Sequence, residues 1–335
     1  MESLLLQAFE GKNKTVPVWL MRQAGRFLPE YRAIRQKHSL DEMFATPEIA
    51  ADITCLPVNI LNVDAAILFA DILTLPINLG FDISFVDGSG PVIRNPLQSA
   101  ADLKSYHDLS DIPHLRQTIQ LVNKQLSPSV PLIGFAGAPF TVLSYLIEGG
   151  SSAHFRKTIR FMNQQPKEFR KVMDFLTKNT IRYLRLQKEA GIKVFQLFDT
   201  WGGILRATDY EELVLPYVRR IFTEVNLPSI YYLKNSYHLL PLMGKTKSDF
   251  LSVCETVDIV TDPVLRWTTK GIQGNLYCGL LYADDEILKK EVLRTLKAAR
   301  RFRKYIFNLS HGIFPDVDVD KVRLLVDTVH SYSLK

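Results

Sequence analysis

Residues 17–35 read P-V-W-L-M-R-Q-A-G-R-F-L-P-E-Y-R-A-I-R, and their character changes abruptly after the fifth residue. The apolar run at 16–21 predicts a buried strand. Gly25 and Pro29 argue against one continuous helix, so we expect the four following arginines on a shaped loop. Those arginines are Arg22, Arg26, Arg32 and Arg35. Guanidinium groups suit bidentate binding of carboxylate or phosphate, which indicates an anion pocket; a solvated basic loop is the alternative.

The totals describe an ordinary globular chain. Its 335 residues are 47% hydrophobic and 23% charged, which allows one large domain or two smaller ones. We find no strong linker and no internal repeat, so we predict a single domain over 1–335. The net charge of +6 permits an anionic ligand but does not require nucleic acid.

Cysteine usage and hydropathy indicate a cytoplasmic protein. Cys55, Cys254 and Cys278 are far apart and form no C-x-x-C pair, so we expect reduced, mostly buried thiols. The N-terminus lacks a basic region, and its apolar run is too short for a signal peptide. No uninterrupted apolar stretch reaches about 18 residues, so no membrane span is expected.

Strand and helix patterns alternate along most of the chain. Helical periodicity or capping signals predict helices at 47–61, 97–126, 166–190, 210–225 and 286–304. Strands are predicted at 16–21, 64–70, 131–135, 192–198, 229–233, 257–260, 271–273 and 305–309. This alternation predicts an α/β fold, a (β/α)8 TIM barrel. An open doubly wound sheet is the competing architecture, but no G-x-G-x-x-G follows the first strand.

One segment does not fit the alternation. Residues 80–96 alternate apolar and polar side chains and contain D-G-S-G at 87–90. This pattern predicts a β-hairpin inserted into the barrel.

Active sites of such barrels lie at the carboxyl ends of the strands. The residues predicted there are Arg22, Asp71, Gly137, Asp199, Thr200, Lys234, Asn235, Asp262, Asn275 and His311. No Cys/His metal set, Ser–His–Asp spacing or G-x-x-x-x-G-K loop accompanies them. An acid, guanidiniums, a tyrosine and a histidine suit proton transfer and charge stabilisation on a polyanionic substrate without a cofactor.

Two long motifs carry a resemblance to a known family. M-R-Q-A-G-R-F-L-P-E-Y-R at 21–32 resembles the first signature of the uroporphyrinogen decarboxylase family, and G-F-A-G-A-P-F-T-V-L-S-Y-L-I-E-G at 134–149 resembles the second. Shorter motifs follow in the family's order: F-A-D-I-L at 69–73, Q-L-F-D-T-W-G-G at 196–203, Y-L-K-N at 232–235 and H-G at 311–312.

The resemblance implies an enzyme of porphyrin and heme biosynthesis. A single-domain (β/α)8 barrel would remove carbon dioxide from the four acetate side chains of uroporphyrinogen III, giving coproporphyrinogen III. The family uses no metal or organic cofactor and is typically a cytoplasmic homodimer. Its partner is the tetrapyrrole polycarboxylate, with neither nucleic acid nor membrane.

The resemblance also implies roles for individual residues. Asp71 and Arg22 are the expected catalytic residues, with Asp71 holding the pyrrole N–H groups at the centre of the tetrapyrrole. The expected substrate-binding set is Arg22, Gln23, Ala24, Gly25, Arg26, Arg35, Asp71, Tyr145, Thr200 and His311. Arg32 is expected to be structural. Arg22 is a difficult proton donor because a guanidinium has a pKa above about 12, so a water or a substrate carboxyl stays open.

Two departures and two alternatives accompany this interpretation. N-L-Y-C at 275–278 stands where many members carry N-L-D-P, and T-D-P at 261–263 replaces the usual Asp-Trp. A corrinoid-linked zinc methyltransferase of the same superfamily is one alternative, but the chain lacks an H-x-C pair. A nucleic-acid or membrane-surface binder is the other, suggested by R-R-F-R-K at 300–304; cations at a helix C-terminus explain that run better.

Overall fold

The computed structural model describes residues 3–86, 90–266 and 268–333. Its strands are β1 (Ala66–Ile67), β2 (Ile83–Val86), β3 (Gly90–Ile93), β4 (Leu132–Gly137), β5 (Val194–Asp199), β6 (Ser229–Leu233), β7 (Phe250–Ser252), β8 (Gly271–Gln273) and β9 (Tyr305–Ile306). Its α-helices are α1 (Leu4–Glu10), α2 (Pro29–Lys37), α3 (Leu40–Ala45), α4 (Pro47–Leu61), α5 (Thr74–Ile77), α6 (Pro113–Gln125), α7 (Pro139–Glu148), α8 (Arg156–Gln164), α9 (Pro166–Ala190), α10 (Ala207–Leu213), α11 (Leu215–Val225), α12 (Leu240–Gly244), α13 (Asp285–Ala299) and α14 (Val319–His330).

The fold is mixed α/β, built on a curled seven-stranded parallel sheet. The strand order in this sheet is β1-β4-β5-β6-β7-β8-β9, and every neighbouring pair is parallel. Strands β4 and β6 are buried along their whole length, as expected where helices cover the outer face of a parallel sheet. Strands β2 and β3 form a separate antiparallel hairpin, with Ile83 opposite Ile93. The predicted hairpin is therefore confirmed, and its residues 87–89 lie outside the described residues.

The predicted first strand at 16–21 is not a regular strand. Val18 forms only an isolated parallel bridge with Phe307, and the Phe307 N–H donates to the Pro17 carbonyl at 2.9 Å. On its other side the Val18 carbonyl accepts from Asp64 N–H at 2.8 Å, and the Asp64 carboxylate accepts the Val18 N–H at 2.7 Å. His330 Nε2 lies 3.0 Å from the same carboxylate oxygen. Proline lacks an N–H, so this segment cannot form a full ladder and is held partly by a side chain.

Side chains from several strands, from helix α1 and from the 17–21 segment form a buried core inside the curled sheet. Trp19 packs with Ile133, Val194, Ile230 and Phe250, none of them measurably exposed. Leu5 and Ala8 of α1 belong to the same cluster. Helix α1 therefore covers one end of the sheet, and the other end is left for the site.

A hydrogen-bonded chain of buried polar side chains crosses this interior. The Trp19 indole donates to Gln273 Oε1 at 2.9 Å, and Gln273 Nε2 donates to Gln196 Oε1 and Ser252 Oγ at 2.9 Å each. Gln196 Nε2 lies 3.8 Å from the Met21 sulfur. These bonds satisfy polar groups that would be costly to bury unpaired, and they attach the 17–21 segment to β5, β7 and β8.

The outer layer is helical, and its longest member was predicted at its observed bounds. Helix α9 spans 25 residues and ends at Gly191. Its buried stripe includes Phe169, Val172, Leu176 and Leu184, which repeat at helical spacing. Helix α4 also has the predicted bounds, with Pro47 in its first turn.

Several other predicted elements were wrong in position. The sixth strand is Phe250–Ser252 rather than 257–260, where Asp258 instead accepts the Val260 N–H at 2.8 Å in a turn. The predicted helix at 210–225 is two helices, α10 and α11, which meet at Val214. The helix predicted to reach residue 304 ends at Ala299.

The arginine stretch is also only partly a loop. Helix α2 begins at Pro29, which occupies its first turn, so Arg32 and Arg35 are helical. Only Arg22 and Arg26 lie in the loop before it. Proline favours the first helical turn because its missing N–H has no intrahelical partner there.

Candidate active site

A cleft of about 550 Å³ opens at the carboxyl ends of the parallel strands. Among the described residues its lining consists of Met21, Arg22, Ala24, Ile67, Leu68, Phe69, Ala70, Asp71, Ile72, Leu73, Phe85, Pro91, Phe135, Tyr145, Ser151, Phe198, Thr200, Trp201, Tyr232, Lys234, His311 and Gly312. Most of these side chains are apolar, and Asp71 is the one acid among them. The cleft therefore combines an apolar surface with a few converging charges, as ligand sites commonly do.

Arg22 is held in an unusual backbone conformation at the cleft. Its φ of 63° lies in the left-handed region that non-glycine residues rarely adopt. The neighbouring Met21 N–H donates to Asn308 Oδ1 at 3.1 Å, and the Met21 carbonyl accepts from Ile313 N–H at 3.0 Å. These bonds attach the loop to the segment after β9, and they hold the strained backbone of the adjacent Arg22 in place.

The side chain of Arg22 lies across Gly312. A Cβ added at Gly312 would come within 2.3 Å of Arg22 Cδ and 2.6 Å of Arg22 Cγ. Only glycine leaves this space, so the H-G pair at 311–312 has a steric role in placing the guanidinium. This contact brings the first predicted motif and the last one together in the same site.

Gln23 and Gly25 shape the loop and do not line the cleft. Gln23 is fully buried, where its Oε1 accepts the Leu20 N–H at 2.9 Å and its Nε2 donates to the Ala65 carbonyl at 3.0 Å. A Cβ at Gly25 would lie 2.7 Å from the Arg22 carbonyl oxygen. Both residues therefore support the conformation of Arg22.

Asp71 is half-buried in the cleft wall, in a turn that follows β1. Its Oδ1 accepts the Leu73 N–H at 2.8 Å, and its own N–H donates to Thr74 Oγ1 at 3.2 Å. Burial raises the pKa of Asp71, while the Leu73 N–H and the Arg22 charge oppose that rise. The carboxylate is thus positioned by its own turn, and among the described residues its second oxygen has no hydrogen-bond donor, which leaves it available to a ligand.

His311 is a neutral hydrogen-bonding group. Its Nδ1 accepts the Gly312 N–H at 2.6 Å, which leaves the proton of the neutral ring on Nε2. Burial, together with the charges of Arg22 and Lys234, lowers the pKa of His311 to about 4. At neutral pH the imidazole therefore offers a donor without adding a charge.

Tyr145 and Thr200 complete the predicted residues in the cleft, together with Ala24. Tyr145 lies on α7, where burial raises its pKa, so the phenol stays protonated at neutral pH. Its ring centroid is 6.0 Å from that of Trp201. The cleft thus receives residues from segments far apart in the sequence.

Asp199 supports the loop that presents Thr200 and does not itself line the cleft. It is fully buried and accepts from the Thr141 hydroxyl at 2.7 Å, the Tyr231 hydroxyl at 2.8 Å and Gly202 N–H at 3.2 Å. The Tyr231 hydroxyl lies 2.7 Å from the Tyr210 hydroxyl. Burial raises the pKa of Asp199, although these hydrogen bonds oppose the rise.

The other arginines lie outside the cleft lining. Arg26 and Arg35 both place their charges near Tyr31, whose ring is 5.9 Å from the cleft residue Phe69. Arg35 also donates to the His38 carbonyl at 3.0 Å. Arg32 donates to the carbonyls of residues 26 and 27 at 2.9 and 2.8 Å, in keeping with the structural role expected for it.

Sequence reasoning missed contributions from three regions. Lys234 and Trp201 both line the cleft, but the sequence patterns predict only a strand-end position for Lys234 and a motif position for Trp201. Phe85 and Pro91 of the hairpin line the cleft, although the hairpin was interpreted only as an insertion. An aromatic residue on the outer face of a hairpin next to a predicted site is the signal that could have identified Phe85 as a cleft residue.

Two residues predicted at strand ends have structural roles and do not line the cleft. Asp262 is buried and accepts the Val264 N–H at 2.8 Å. Asn275 donates to the carbonyls of Cys254 and Val257 at 2.9 and 2.6 Å. Neither lines the cleft, so the departures from the family pattern near these positions do not alter its described walls.

The expected thiol state is confirmed, since the three cysteines are free and buried. Within 3–86, 90–266 and 268–333, no group of three or more His, Cys, Asp or Glu side chains is arranged to hold a metal ion. No helix in those ranges is long and apolar enough to span a membrane.

The similarity to known proteins extends over nearly the whole chain. Residues 1–332 match the family model described as Uroporphyrinogen decarboxylase (URO-D). The chain is 42% identical to uroporphyrinogen decarboxylase of Thermodesulfovibrio yellowstonii over 336 residues, covering 99% of this chain and 98% of the relative. It is also 42% identical to uroporphyrinogen decarboxylase of Aquifex aeolicus, covering 99% and 98%.

A solved structure shares the fold at lower sequence similarity. A methyltransferase from Methanosarcina mazei superposes with a TM-score of 0.83 at 19% identity, covering 99% of both chains. That identity supports the architecture alone. The family match and the relatives above carry the assignment, and the chain belongs to the uroporphyrinogen decarboxylase family.

Proposed function

We propose that this cleft removes carbon dioxide from the four acetate side chains of uroporphyrinogen III to give coproporphyrinogen III, a step of porphyrin and heme biosynthesis. The observation that carries the assignment is the charge pattern of the cleft. Asp71 is the single acid among its described lining residues, and Arg22 and Lys234 are its cations. A substrate with a polar N–H centre and peripheral carboxylates matches that pattern.

The chemistry makes Asp71 the central group. A proton added to a pyrrole ring carbon creates a cation, and the electron pair of the bond to the departing carboxylate then flows into the ring. Carbon dioxide leaves, the side-chain carbon takes up a proton to become a methyl group, and the ring proton is lost. A carboxylate beside the pyrrole nitrogens stabilises the cationic stage more than the neutral ground state, which is how electrostatic catalysis lowers a barrier.

The cations hold carboxylates that are not reacting. Arg22 lines the cleft, and Arg26 and Arg35 are proposed to reach carboxylates at its rim near Tyr31. Gln23 and Gly25 contribute through the loop conformation that presents Arg22. Fixing the remaining carboxylates orients the reacting acetate, and such orientation is a large part of catalysis.

The side chains of the cleft limit the choice of proton donor. His311, with a pKa of about 4, carries no excess proton at neutral pH, and the raised pKa of Tyr145 makes its phenol a weak acid. A guanidinium has a pKa above about 12. In this proposal a bound water or a substrate carboxyl supplies the proton, with His311 and Tyr145 as hydrogen-bond partners of the substrate.

The finer architecture and the assembly belong to the same proposal. The segment at 17–19 bonds to Phe307 on one side and to Asp64 on the other. It thus lies between the two edges of the seven-stranded sheet, which supports a single closed (β/α)8 barrel in which this segment takes the place of the remaining strand. Free buried cysteines support a cytoplasmic location. A homodimer follows from the family resemblance, and sedimentation velocity would test it.

The zinc methyltransferase alternative has less support. The M. mazei methyltransferase shares the fold, but this chain brings no metal-ligand cluster together in its described residues. Stoichiometric zinc in protein purified without added metal would favour that alternative.

The decisive assay gives uroporphyrinogen III to the purified, chelator-treated protein under anaerobic, reducing conditions. We expect hepta-, hexa-, penta- and tetracarboxylate products, separated by carboxylate number. A matched reaction without protein controls for spontaneous decay and oxidation. If only the octacarboxylate remains after extended incubation, the proposed function is wrong.

A further inference from the structure

Lys234 is a cation of the cleft that has no acidic partner among the described residues. It follows β6 directly, is half-buried and lines the cleft. Among the described residues, no carboxylate lies within ion-pair distance of its Nζ, whereas other lysines such as Lys178, Lys245 and Lys321 have one. A half-buried ammonium without a counter-charge is costly, so its place in a ligand cleft indicates an anion supplied from outside.

The backbone around Lys234 is built to present this side chain. Asn235, the next residue, has a φ of 54° in the left-handed region. Gly203 packs so closely that a Cβ there would lie 2.0 Å from the Lys234 carbonyl oxygen. The turn after β6 is therefore locked against the loop after β5, and a displaced Lys234 would disturb both.

Trp201 orients the ammonium. The Lys234 Nζ lies 5.9 Å from the centroid of the Trp201 ring, at the outer range of cation–π attraction. Trp201 is packed against Phe155, with ring centroids 4.7 Å apart. A ring fixed in this way restricts the lysine side chain without neutralising its charge.

Lys234 and Arg22 act on the same part of the cleft. Both charges oppose protonation of His311, so both lie near its imidazole. Arg22 also acts on Asp71, because its charge opposes the rise of the Asp71 pKa. The cleft thus has two cations beside His311, and Lys234 is the one held against Trp201.

We propose that Lys234 is a specificity-determining residue that binds a propionate carboxylate of the tetrapyrrole, with Trp201 holding the ammonium in place; this inference rests on the function proposed above. Propionates are the carboxylates that persist from substrate to product, so this contact is present in every one of the four rounds. It secures the macrocycle while the reacting acetate changes.

The test measures binding separately from turnover. Coproporphyrinogen III retains its propionates and has no acetate to lose, so its Kd can be measured by anaerobic isothermal titration. Lys234→Met keeps the aliphatic stem and removes the charge, and Lys234→Arg keeps the charge. Lys289→Met is the matched control, because Lys289 lies on α13 away from the cleft and the substitution changes the net charge equally.

We expect Lys234→Met to raise the Kd about tenfold, the low end for a lost charge-assisted contact in a half-open site. Lys234→Arg should restore most of the affinity, and Lys289→Met should leave it unchanged. The Kd of the unsubstituted protein should rise with salt more steeply than that of Lys234→Met, because one screened ion pair is missing in the variant.

Equal Kd values and equal salt dependence for Lys234→Met and the unsubstituted protein would overturn the inference. A lysine that merely supports the loop would lower thermal stability without changing the salt dependence, and that result would also count against it. Absence of acetate loss by the unsubstituted protein would instead count against the proposed function. That outcome is read from the unsubstituted protein alone, whereas the role of Lys234 is read from the difference between the variants.

Discussion

Replacing Asp71 with asparagine tests the electrostatic role proposed for the one acid among the described lining residues of the cleft. The substitution is nearly isosteric, and the asparagine Oδ1 can still accept the Leu73 N–H that the aspartate accepts at 2.8 Å. The turn after β1 should therefore be retained. What disappears is the negative charge that Asp71 brings to the cleft, so under the proposed function the expected change is in rate rather than in folding.

The magnitude follows from Coulomb's law. Two unit charges about 4 Å apart interact by about 4 kcal/mol at an effective dielectric constant of about 20. Asp71 is only half-buried, so solvent screening reduces this value to roughly 2–4 kcal/mol. We expect kcat to fall about 30- to 1,000-fold in Asp71→Asn, since each 1.36 kcal/mol is about tenfold in rate.

The assay follows loss of the octacarboxylate and formation of the heptacarboxylate in single turnovers, alongside thermal unfolding. Asp318→Asn is a matched control, because Asp318 likewise accepts a backbone N–H two residues on, at 2.9 Å, but caps α14 outside the cleft. A rate within about threefold of the unsubstituted protein, with an unchanged Tm, would refute the charge argument because the lost interaction would then be worth under about 1 kcal/mol.

The pH profile supplies a second check on the same residue. Asp71 acts as an anion, so its contribution is present above its pKa and is lost as pH falls through that pKa. Burial raises the pKa above the ordinary value, so the acid limb should lie higher than for a solvated aspartate. This limb should vanish in Asp71→Asn; its persistence would assign it to another group.

Three further substitutions test other parts of the structure. Gly312→Ala places a methyl 2.3 Å from Arg22 Cδ, so we expect kcat/KM to fall about 10- to 100-fold. Its Tm should hardly change because the displaced side chain is exposed, and unchanged kinetics would contradict the steric role. Tyr231→Phe leaves buried Asp199 short of a donor and should lower the free energy of unfolding by about 1–3 kcal/mol in urea titrations, whereas an effect below about 0.5 kcal/mol would argue against that bond. His330 has a raised pKa because of its carboxylate partner, so its charge stabilises the fold fully below the ordinary pKa of 6.5 and ceases to do so as pH rises through the raised value. His330→Gln should therefore lower the free energy of unfolding by up to about 1 kcal/mol at pH 6 and by almost nothing at pH 9. An equal loss at both pH values would show that the charge of His330 does not stabilise the fold.

The helices and strands predicted most accurately are those whose sequence signal is local. Helices α4 and α9 carry proline at the start and a long apolar stripe, and strand β6 is a short apolar run, so their bounds were predicted as observed. Strand β7 was misplaced because three buried residues are too short to show a period, and an apolar turn at 257–260 was the stronger signal. The apolar run at 16–21 predicts a regular strand, but the sparse backbone bonds around Pro17 have no sequence signature.

The candidate site was predictable in residue type and less so in geometry. Motif resemblance assembled Arg22, Asp71, Tyr145, Thr200 and His311, and the structure brings these residues to one cleft. The steric contact between Gly312 and Arg22 joins positions 290 apart in the numbering, which no local pattern reveals. The neutral state of His311 depends first on burial and then on the charges of Arg22 and Lys234, which are distant in sequence.

The buried chain of polar side chains from Trp19 to Gln273 also has a consequence for the order of folding. The indole of Trp19 and the backbone of Met21 are bonded to residues 254 and 287 positions later in the sequence. Contacts of such long range form only after the intervening chain has been synthesised and compacted. The arginine loop is therefore synthesised before the residues that fix it, so truncated chains ending before residue 273 should lack an ordered cleft even where their helices have formed.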